Sequence, residues 1–437
     1  MPSDPITGVR PRFLGLATPL LAFSVAPRAA AQEFPESLRG DEVGPREMDL
    51  DAETFLNLLS FAQPLESVQP FLAADSAWQL TLGSLNSDTL WYDQQFKFAT
   101  PLVDAFGARF ELRQGLDFDG SYTRVGLQPE LALGDHWTLG APLVLDGDKG
   151  AIDAGMAWTW RDPGSGCDFV QLAWMRADSQ IDARSDRYEE VEVAHAAHTF
   201  SVQAQGAFLP FGKTTLRAAV TTPSEVRYVD AAVEERLQRA RASLLQSIDW
   251  SATQRGYLEL EYEVQSEQAI ALGPEGLAAA FEGDRDLFRS RVEWQRDLPD
   301  AALASAAAAS EPPRRLRVGG QFLAYREDAE SPARFGDLAV DESELRTEWI
   351  GYAGWRAPLF DSTRIDCETV LWLDRVVGRH RARTAATESS REPAFQGKLS
   401  FFFRWQATPR ADLVLSPSFE LDTIGWGGGA VMLRCQL

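Results

Sequence analysis

The sequence predicts an all-β fold: a transmembrane antiparallel up-and-down β-barrel of about 16 strands (about 14–18 alternating segments compete for the count), with a short N-terminal helical arm. Three observations predict it. From about Ser76 to the end, apolar side chains recur at every second position. The clearest runs are about nine to twelve residues long, more than a soluble strand needs and close to what a tilted membrane strand needs. Tryptophans crowd the ends of the apolar faces, where a ring with an apolar body and a polar edge is satisfied at headgroup depth.

The alternation is clearest in 257–265, where Leu258, Leu260, Tyr262 and Val264 share one face and Glu259, Glu261, Glu263 and Gln265 the other. Successive strand side chains point to opposite faces, so this segment has one apolar and one charged side; a helix would scatter the same residues around its circumference. The pattern recurs over 90–98, 108–116, 152–160, 199–208, 288–295 and 395–405. Weaker versions cover 121–132, 136–145, 169–176, 214–222, 242–250, 316–326, 345–356, 364–374 and 412–421, and a last one begins near Trp426. Bacterial barrels favour even strand numbers, which selects sixteen.

A lysine or arginine facing lipid at mid-membrane costs roughly 2–4 kcal/mol, so the charged faces are assigned to the lumen. That assignment covers Lys97, Arg109, Glu111, Arg113, Glu259, Glu261, Glu263, Arg289, Arg291, Glu293, Lys398 and Arg404. Trp158, Trp160, Trp174, Trp250, Trp294, Trp349, Trp355 and Trp405 are placed as lipid-interface aromatics. Trp91, Tyr352, Trp372 and Phe402 fall on the inner face, where large rings would narrow or fill a lumen.

Turn chemistry separates the runs. Asp117-Phe118-Asp119-Gly120, Gly134-Asp135, Asp146-Gly147-Asp148, Pro210-Phe211-Gly212-Lys213 and Pro409-Arg410 read as tight connections. Longer polar connections are expected near 178–197, 223–240, 266–284, 299–313, 327–342 and 379–392. Short turns at one end and long loops at the other suit a membrane barrel.

The N-terminus is organised differently. Arg10 and Arg12 precede the short apolar stretch Phe13 to Val25, and Ala29-Ala30-Ala31 offers a small-residue cleavage site before Gln32. Residues 1–31 therefore read as a cleaved secretory signal peptide, too short in its apolar run to cross a bilayer as a helix. Residues 32–75 read as a periplasmic or plug-like arm. Within it Met48, Phe55, Leu56, Leu58 and Leu59 stand near helical spacing, with Asp49 and Asp51 suited to the start of a short amphipathic helix. The barrel is assigned to 76–437.

Composition narrows the function. The 437 residues carry 42 Lys+Arg against 64 Asp+Glu, a formal charge of -22. A nucleic-acid partner needs a basic stripe to displace counterions and is excluded on that ground. The mean hydropathy of -0.23 is too low for a bundle of membrane helices. Cys167, Cys367 and Cys435 are widely separated, with no zinc or iron–sulfur spacing, and read as isolated thiols. His195 and His198 would bind metal together on a helix, but an extended segment turns them to opposite faces. No Gly-x-Ser-x-Gly elbow, Ser/His pairing or phosphate loop is present, so neither a catalytic site nor a cofactor is expected.

The last residues carry a resemblance. Val431, Leu433, Cys435 and Leu437 alternate with Met432, Arg434 and Gln436 to the very end. This resembles the C-terminal strand of Gram-negative outer-membrane β-barrels, porin-like in general architecture, although such strands commonly end in Phe or Trp and this one ends in Leu437 after Gly427-Gly428-Gly429. The resemblance implies outer-membrane localisation, outer-membrane lipid and the barrel assembly machinery as partners, and small solutes as cargo. Three functions compete: a passive pore or small-solute transporter with a mixed-charge lumen, a structural or assembly barrel with a plugged lumen, and a soluble exported β-sandwich binding protein.

Overall fold

A computed structural model describes residues 76–84, 90–103, 105–117, 120–146, 152–176, 191–195, 197–209, 212–228, 233–273, 276–298, 314–330, 341–359, 364–382, 387–421 and 425–437. The expected signal peptide and helical arm lie outside these residues. The described chain is strand apart from turns and one 3-10 turn, Pro163–Ser165. The segments are β1 (Ala77–Ser84), β2 (Leu90–Val103), β3 (Phe106–Asp117), β4 (Gly120–Leu133), β5 (Trp137–Gly140), β6 (Leu143–Asp146), β7 (Asp153–Asp162), β8 (Cys167–Arg176), β9 (Val191–His195) and β10 (His198–Leu209). They continue as β11 (Gly212–Tyr228), β12 (Val233–Ser251), β13 (Gln254–Gly273), β14 (Gly276–Leu298), β15 (Arg314–Glu330), β16 (Asp341–Pro358), β17 (Ile365–Ala382), β18 (Thr387–Thr408), β19 (Ala411–Glu420) and β20 (Gly425–Gln436).

These segments make eighteen strands, not the sixteen that the even-number rule selects from the sequence. β5 and β6 each pair with both β4 and β7 and together form one strand. It is interrupted at Pro142, which has no N–H to give the ladder. β9 and β10 both pair with β11 and likewise form one strand. Each of the eighteen strands pairs antiparallel with the strands before and after it, and β1 pairs with β20 from Ala77↔Gln436 to Ser84↔Gly429. That last ladder closes the sheet into a barrel. Its strand β1 alternates like the others, with Trp78, Leu80 and Leu82 set against Gln79, Thr81 and Gly83, and supplies the strand missing from the seventeen segments read along the sequence. The glycine run near the C-terminus does not break β20, which stays paired on both sides.

Polarity is inverted relative to a soluble core. Adjacent residues show it most directly: Leu172 is 59% exposed and Gln171 1%, Val292 58% and Glu293 1%, Trp349 57% and Glu348 3%. Side chains on the convex side of a closed sheet diverge, while those on the concave side converge. The exposed apolar set is therefore the outer face and the buried polar set the inner one.

Strand length is uneven around the barrel. β12, β13, β14 and β18 run to 19, 20, 23 and 22 residues, whereas β1, β7 and β8 have 8, 10 and 10. The difference corrects several expected loops. In 223–240 and 266–284 the ladder continues, with Ser224–Tyr228 paired to Val233–Leu237 and Ser266–Gly273 to Gly276–Asp284. In 379–392, His380 still pairs with Ser389. None of these stretches keeps an apolar/polar alternation, the first and last being rich in charge and 266–284 in alanine, so their hydropathy does not distinguish a paired hairpin from a loop. The connection 299–313 joins β14 to β15 at the end of the barrel that otherwise carries the short turns.

Candidate functional site

The inner face of the barrel gathers the ionic residues into a paired arc. On β12–β14, Arg239 Nε donates to Glu263 at 2.8 Å, and Glu261 accepts from Arg241 at 2.7 Å and Arg289 at 2.7 Å. Further round, Arg315 Nε meets Asp297 at 2.6 Å, Arg356 holds Asp366 with contacts of 2.9 and 2.6 Å, and Asp412 is shared by Arg404 at 3.0 Å and Arg434 at 2.7 Å. The arc continues across the closing ladder, where Arg113 meets Asp93 at 2.9 Å and Arg109 meets Glu130 at 2.6 Å. Opposite charges on neighbouring strands at matched height are what keep these groups charged away from bulk water: guanidinium forks match carboxylates, and an unmatched buried charge is expensive.

One knot in this arc reaches across strands rather than between neighbours. Tyr352 on β16 donates its hydroxyl to Glu293 on β14 at 2.6 Å, passing over β15. The register explains how: Glu293, Gly319 and Tyr352 stand side by side, and a Cβ added at Gly319 would collide with the Tyr352 ring. Arg317 on β15 likewise passes over Gly354 to reach Glu368 on β17 at 2.7 Å, and a Cβ at Gly354 would lie 2.6 Å from the Glu368 carboxylate. Arg291 and Arg317 lie 5.7 and 5.5 Å from the centre of the Tyr352 ring, within cation–π range. Beside the knot is a small apolar patch of Ile350, Tyr352, Val370, Trp372 and Phe402, the Tyr352 and Trp372 rings 5.1 Å apart.

The facing arc, β7–β11, is mostly neutral. Thr159, Gln171, Ser201, Gln203, Thr199 and Thr221 are buried there, with Ala157, Ala173 and Met175 among them. Gln171 Nε2 donates to Thr159 at 3.2 Å, and Thr199 and Thr221 share a hydroxyl hydrogen bond of 3.3 Å. The Gln171 amide oxygen is buried without a protein partner.

All twelve residues assigned to the lumen from sequence share this inner face by register. Lys97 stands opposite Glu111, which accepts from Gln95 at 2.5 Å; Glu259 stands opposite Arg291; Lys398 lies between Trp372 and Glu420. Trp158, Trp174, Trp250, Trp349, Trp355 and Trp405 are exposed on the outer face, and Trp160 and Trp294 are half-buried there. Several are packed: Trp137 meets Trp158 edge-on at 5.6 Å, Phe322 lies 4.4 Å from Trp349, and Trp174 Nε1 donates to His198 at 3.2 Å. Sequence reading missed Arg239, Arg241, Arg317, Glu368, Asp412 and Arg434. No sequence signal marked the Arg317–Glu368 pair: Gly354, over which Arg317 lies, stands beside it only in the strand register.

A closed antiparallel sheet with an apolar outside and a paired, polar inside has the architecture of outer-membrane β-barrels. No family model and no curated protein matches the chain. Among solved structures, it is similar to OccAB2 of Acinetobacter baumannii at 11% identity, covering 82% of this chain and 97% of that one with a TM-score of 0.39. It is similar to OpdQ of Pseudomonas aeruginosa at 10% identity, covering 83% and 97% with a TM-score of 0.39. OccK2 (OpdF) of Pseudomonas aeruginosa, solved in complex with glucuronate, matches at 11% identity over 83% and 97% with a TM-score of 0.38. Likeness at this level concerns the fold alone.

Proposed function

We propose that this chain is a passive outer-membrane pore for small solutes, with a mixed-charge inner wall. The carrying observation is the inverted polarity of a closed eighteen-strand sheet. Barrels of sixteen to eighteen strands are wide enough for an aqueous channel, and an apolar exterior has its natural solvent in lipid hydrocarbon. On this reading residues 1–31 are removed on export, the barrel assembly machinery inserts the chain, and the outer tryptophans sit at the lipid interface. The twelve charged residues named from sequence line the lumen. Opposed charges there set a transverse field that orients polar solutes. The acid excess of the chain favours cations weakly.

Planar-bilayer recording of the folded protein tests the pore. Discrete conductance steps with a cation permeability modestly above that of anions are expected. A folded, inserted barrel that does not conduct overturns the reading, and clear anion preference overturns its electrostatic part.

One observation favours a second reading, in which the lumen is plugged. Inner side chains on both arcs are almost wholly shielded, including Thr159 and Gln203 on one and Glu293 and Arg317 on the other.

A further inference from the structure

The outer wall is apolar by alternation, yet it carries a polar row on β2–β4. Gln94 on β2, Gln114 on β3 and Thr123 on β4 stand side by side in register. They share the outward face, with Phe96 and Leu112 the next outward residues on one side and Tyr92 and Leu116 on the other. Round the barrel the same row continues as Leu80, Leu433 and Leu413 on β1, β20 and β19. Gln114 Nε2 donates to Gln94 Oε1 at 3.1 Å, and both side chains are half-buried. That bond leaves the Gln94 amide nitrogen as a donor and the Gln114 amide oxygen as an acceptor. Turning both amides over only exchanges the two functions. Among the described residues neither amide has a further side-chain partner. Hydrocarbon offers no donor and no acceptor, so an amide left over there is costly. Elsewhere on the outer wall the chain satisfies such a group itself: Gln246 on β12 accepts from Thr214, donates to the Ser247 carbonyl and is 5% exposed.

We propose that this row is the centre of a two-fold interface between two copies of this chain lying side by side in the membrane. The inference rests on the membrane-barrel reading above. Copies inserted the same way up are related by an axis along the membrane normal, and a closed pair requires that axis to be two-fold. An axis passing between β2 and β3 sets Gln94 of each copy against Gln114 of the other. The donor left on the first residue then meets the acceptor left on the second, twice over. A strand tilt of about 40° separates paired residues by about 3 Å in height, a step that a glutamine side chain spans. Around the row Leu82, Leu90, Phe98, Leu116 and Leu127 are exposed and supply an apolar rim. Wall height also selects this side. β2, β3 and β4 have 14, 12 and 14 residues. The tallest hairpin, β13 and β14 with 20 and 23 residues, stands half-way round the eighteen-strand barrel, clear of a second copy.

The test counts copies and maps their contact. Single-molecule photobleaching of the full chain in phosphatidylcholine vesicles, over a wide range of protein-to-lipid ratios, should show monomers giving way to dimers and to nothing larger. The double variant Gln94→Leu, Gln114→Leu suits a lipid face and should weaken dimerisation by about tenfold or more, with heat-modifiable gel migration showing that the barrel still folds. In a background with Cys167, Cys367 and Cys435 replaced by alanine, a mixture of Gln94→Cys chains and Gln114→Cys chains should form a mixed disulfide under mild oxidation. Chains carrying Val292→Cys, outward on β14, should not cross-link. Monomers at every density, trimers or larger rings, an undiminished dimer in the double leucine variant, or no mixed disulfide each overturns the proposal. So does cross-linking through Val292→Cys. Dimers lost on adding lipopolysaccharide to the vesicles assign the row to lipid and likewise overturn it. A monomer that conducts in planar bilayers sinks the interface alone; a chain that fails to insert into vesicles sinks the membrane reading with it.

Discussion

The two arcs of the inner wall solve the same problem by opposite means. From β12 through β20 and on to β3, the wall is built of arginines and carboxylates; from β7 to β11 it is built mainly of hydroxyls, amides and small side chains. Both are shielded from water. In the first arc each charge is tolerable only because a partner stands on the next strand or the one after it, so the residues are energetically interlocked. In the second, a buried hydroxyl or amide costs little when it makes even one hydrogen bond, so the residues are nearly independent. Equal burial thus hides very unequal sensitivity to substitution.

The sharpest way to break this comparison is Glu293→Ala. It takes a carboxylate from Arg291 and Arg317, which meet Glu293 at 2.9 and 3.4 Å, leaving Arg317 its pair with Glu368, and it leaves the Tyr352 hydroxyl without its acceptor. Removing one partner of a buried pair costs about 3–5 kcal/mol, and a loss of this size is expected in urea unfolding followed by tryptophan fluorescence in lipid vesicles. A loss below about 1 kcal/mol would mean that water reaches the knot and screens it.

Next in size is Gly319→Leu. The new side chain must displace the Tyr352 ring, so both steric strain and loss of the reach across β15 follow, about 1–3 kcal/mol by the same measurement. Pairing it with Tyr352→Ala separates the two contributions, because the ring that clashes is then absent. If the glycine is there for Tyr352, the double variant should lose less than the sum of the two single ones.

How much of this was legible in the sequence follows from the range over which each feature is encoded. Alternation is local, so the faces of β13, β14 and β18 could be read from a few residues, and the inward placement of Arg289, Arg291 and Glu293 with them. Pairing is not local: nothing around Glu368 announces that its partner is Arg317, a position fixed only once Gly354 stands between them in the register. The strand count settled on sixteen rather than eighteen, within its range, for a third reason. β1 has only 8 residues and follows directly on the proline-rich arm, so the strand that closes the barrel is also among the least conspicuous. Length was underestimated where β13 and β14 continue into a hairpin paired as far as Gly273↔Gly276, because Ala269 to Leu272 and Leu277 to Phe281 put small and apolar residues at consecutive positions and the period-two signal is lost.

Charge selectivity gives a subtler contrast between the arcs. Glu259, Glu261 and Glu263 lie on one strand of the ionic arc, and Glu261 and Glu263 are held by Arg289, Arg241 and Arg239. Replacing all three by glutamine removes three negative charges while keeping shape, and should turn weak cation preference into anion preference in reversal-potential measurements in planar bilayers. The same number of conservative changes on the neutral arc, at Thr159, Gln171 and Ser201, should leave the reversal potential where it was.

The smallest effect is expected for Gln171→Ala. Its amide makes one hydrogen bond, to Thr159, and its own oxygen is already buried without a protein partner. Truncation therefore removes one modest bond and relieves one unsatisfied acceptor, two changes of opposite sign that should leave a net loss of about 1 kcal/mol or less. A loss approaching that of Glu293→Ala would show that the amide oxygen is held by something on the inside of the barrel, and the neutral arc would then be as interlocked as the ionic one, through an occupant rather than through its own strands.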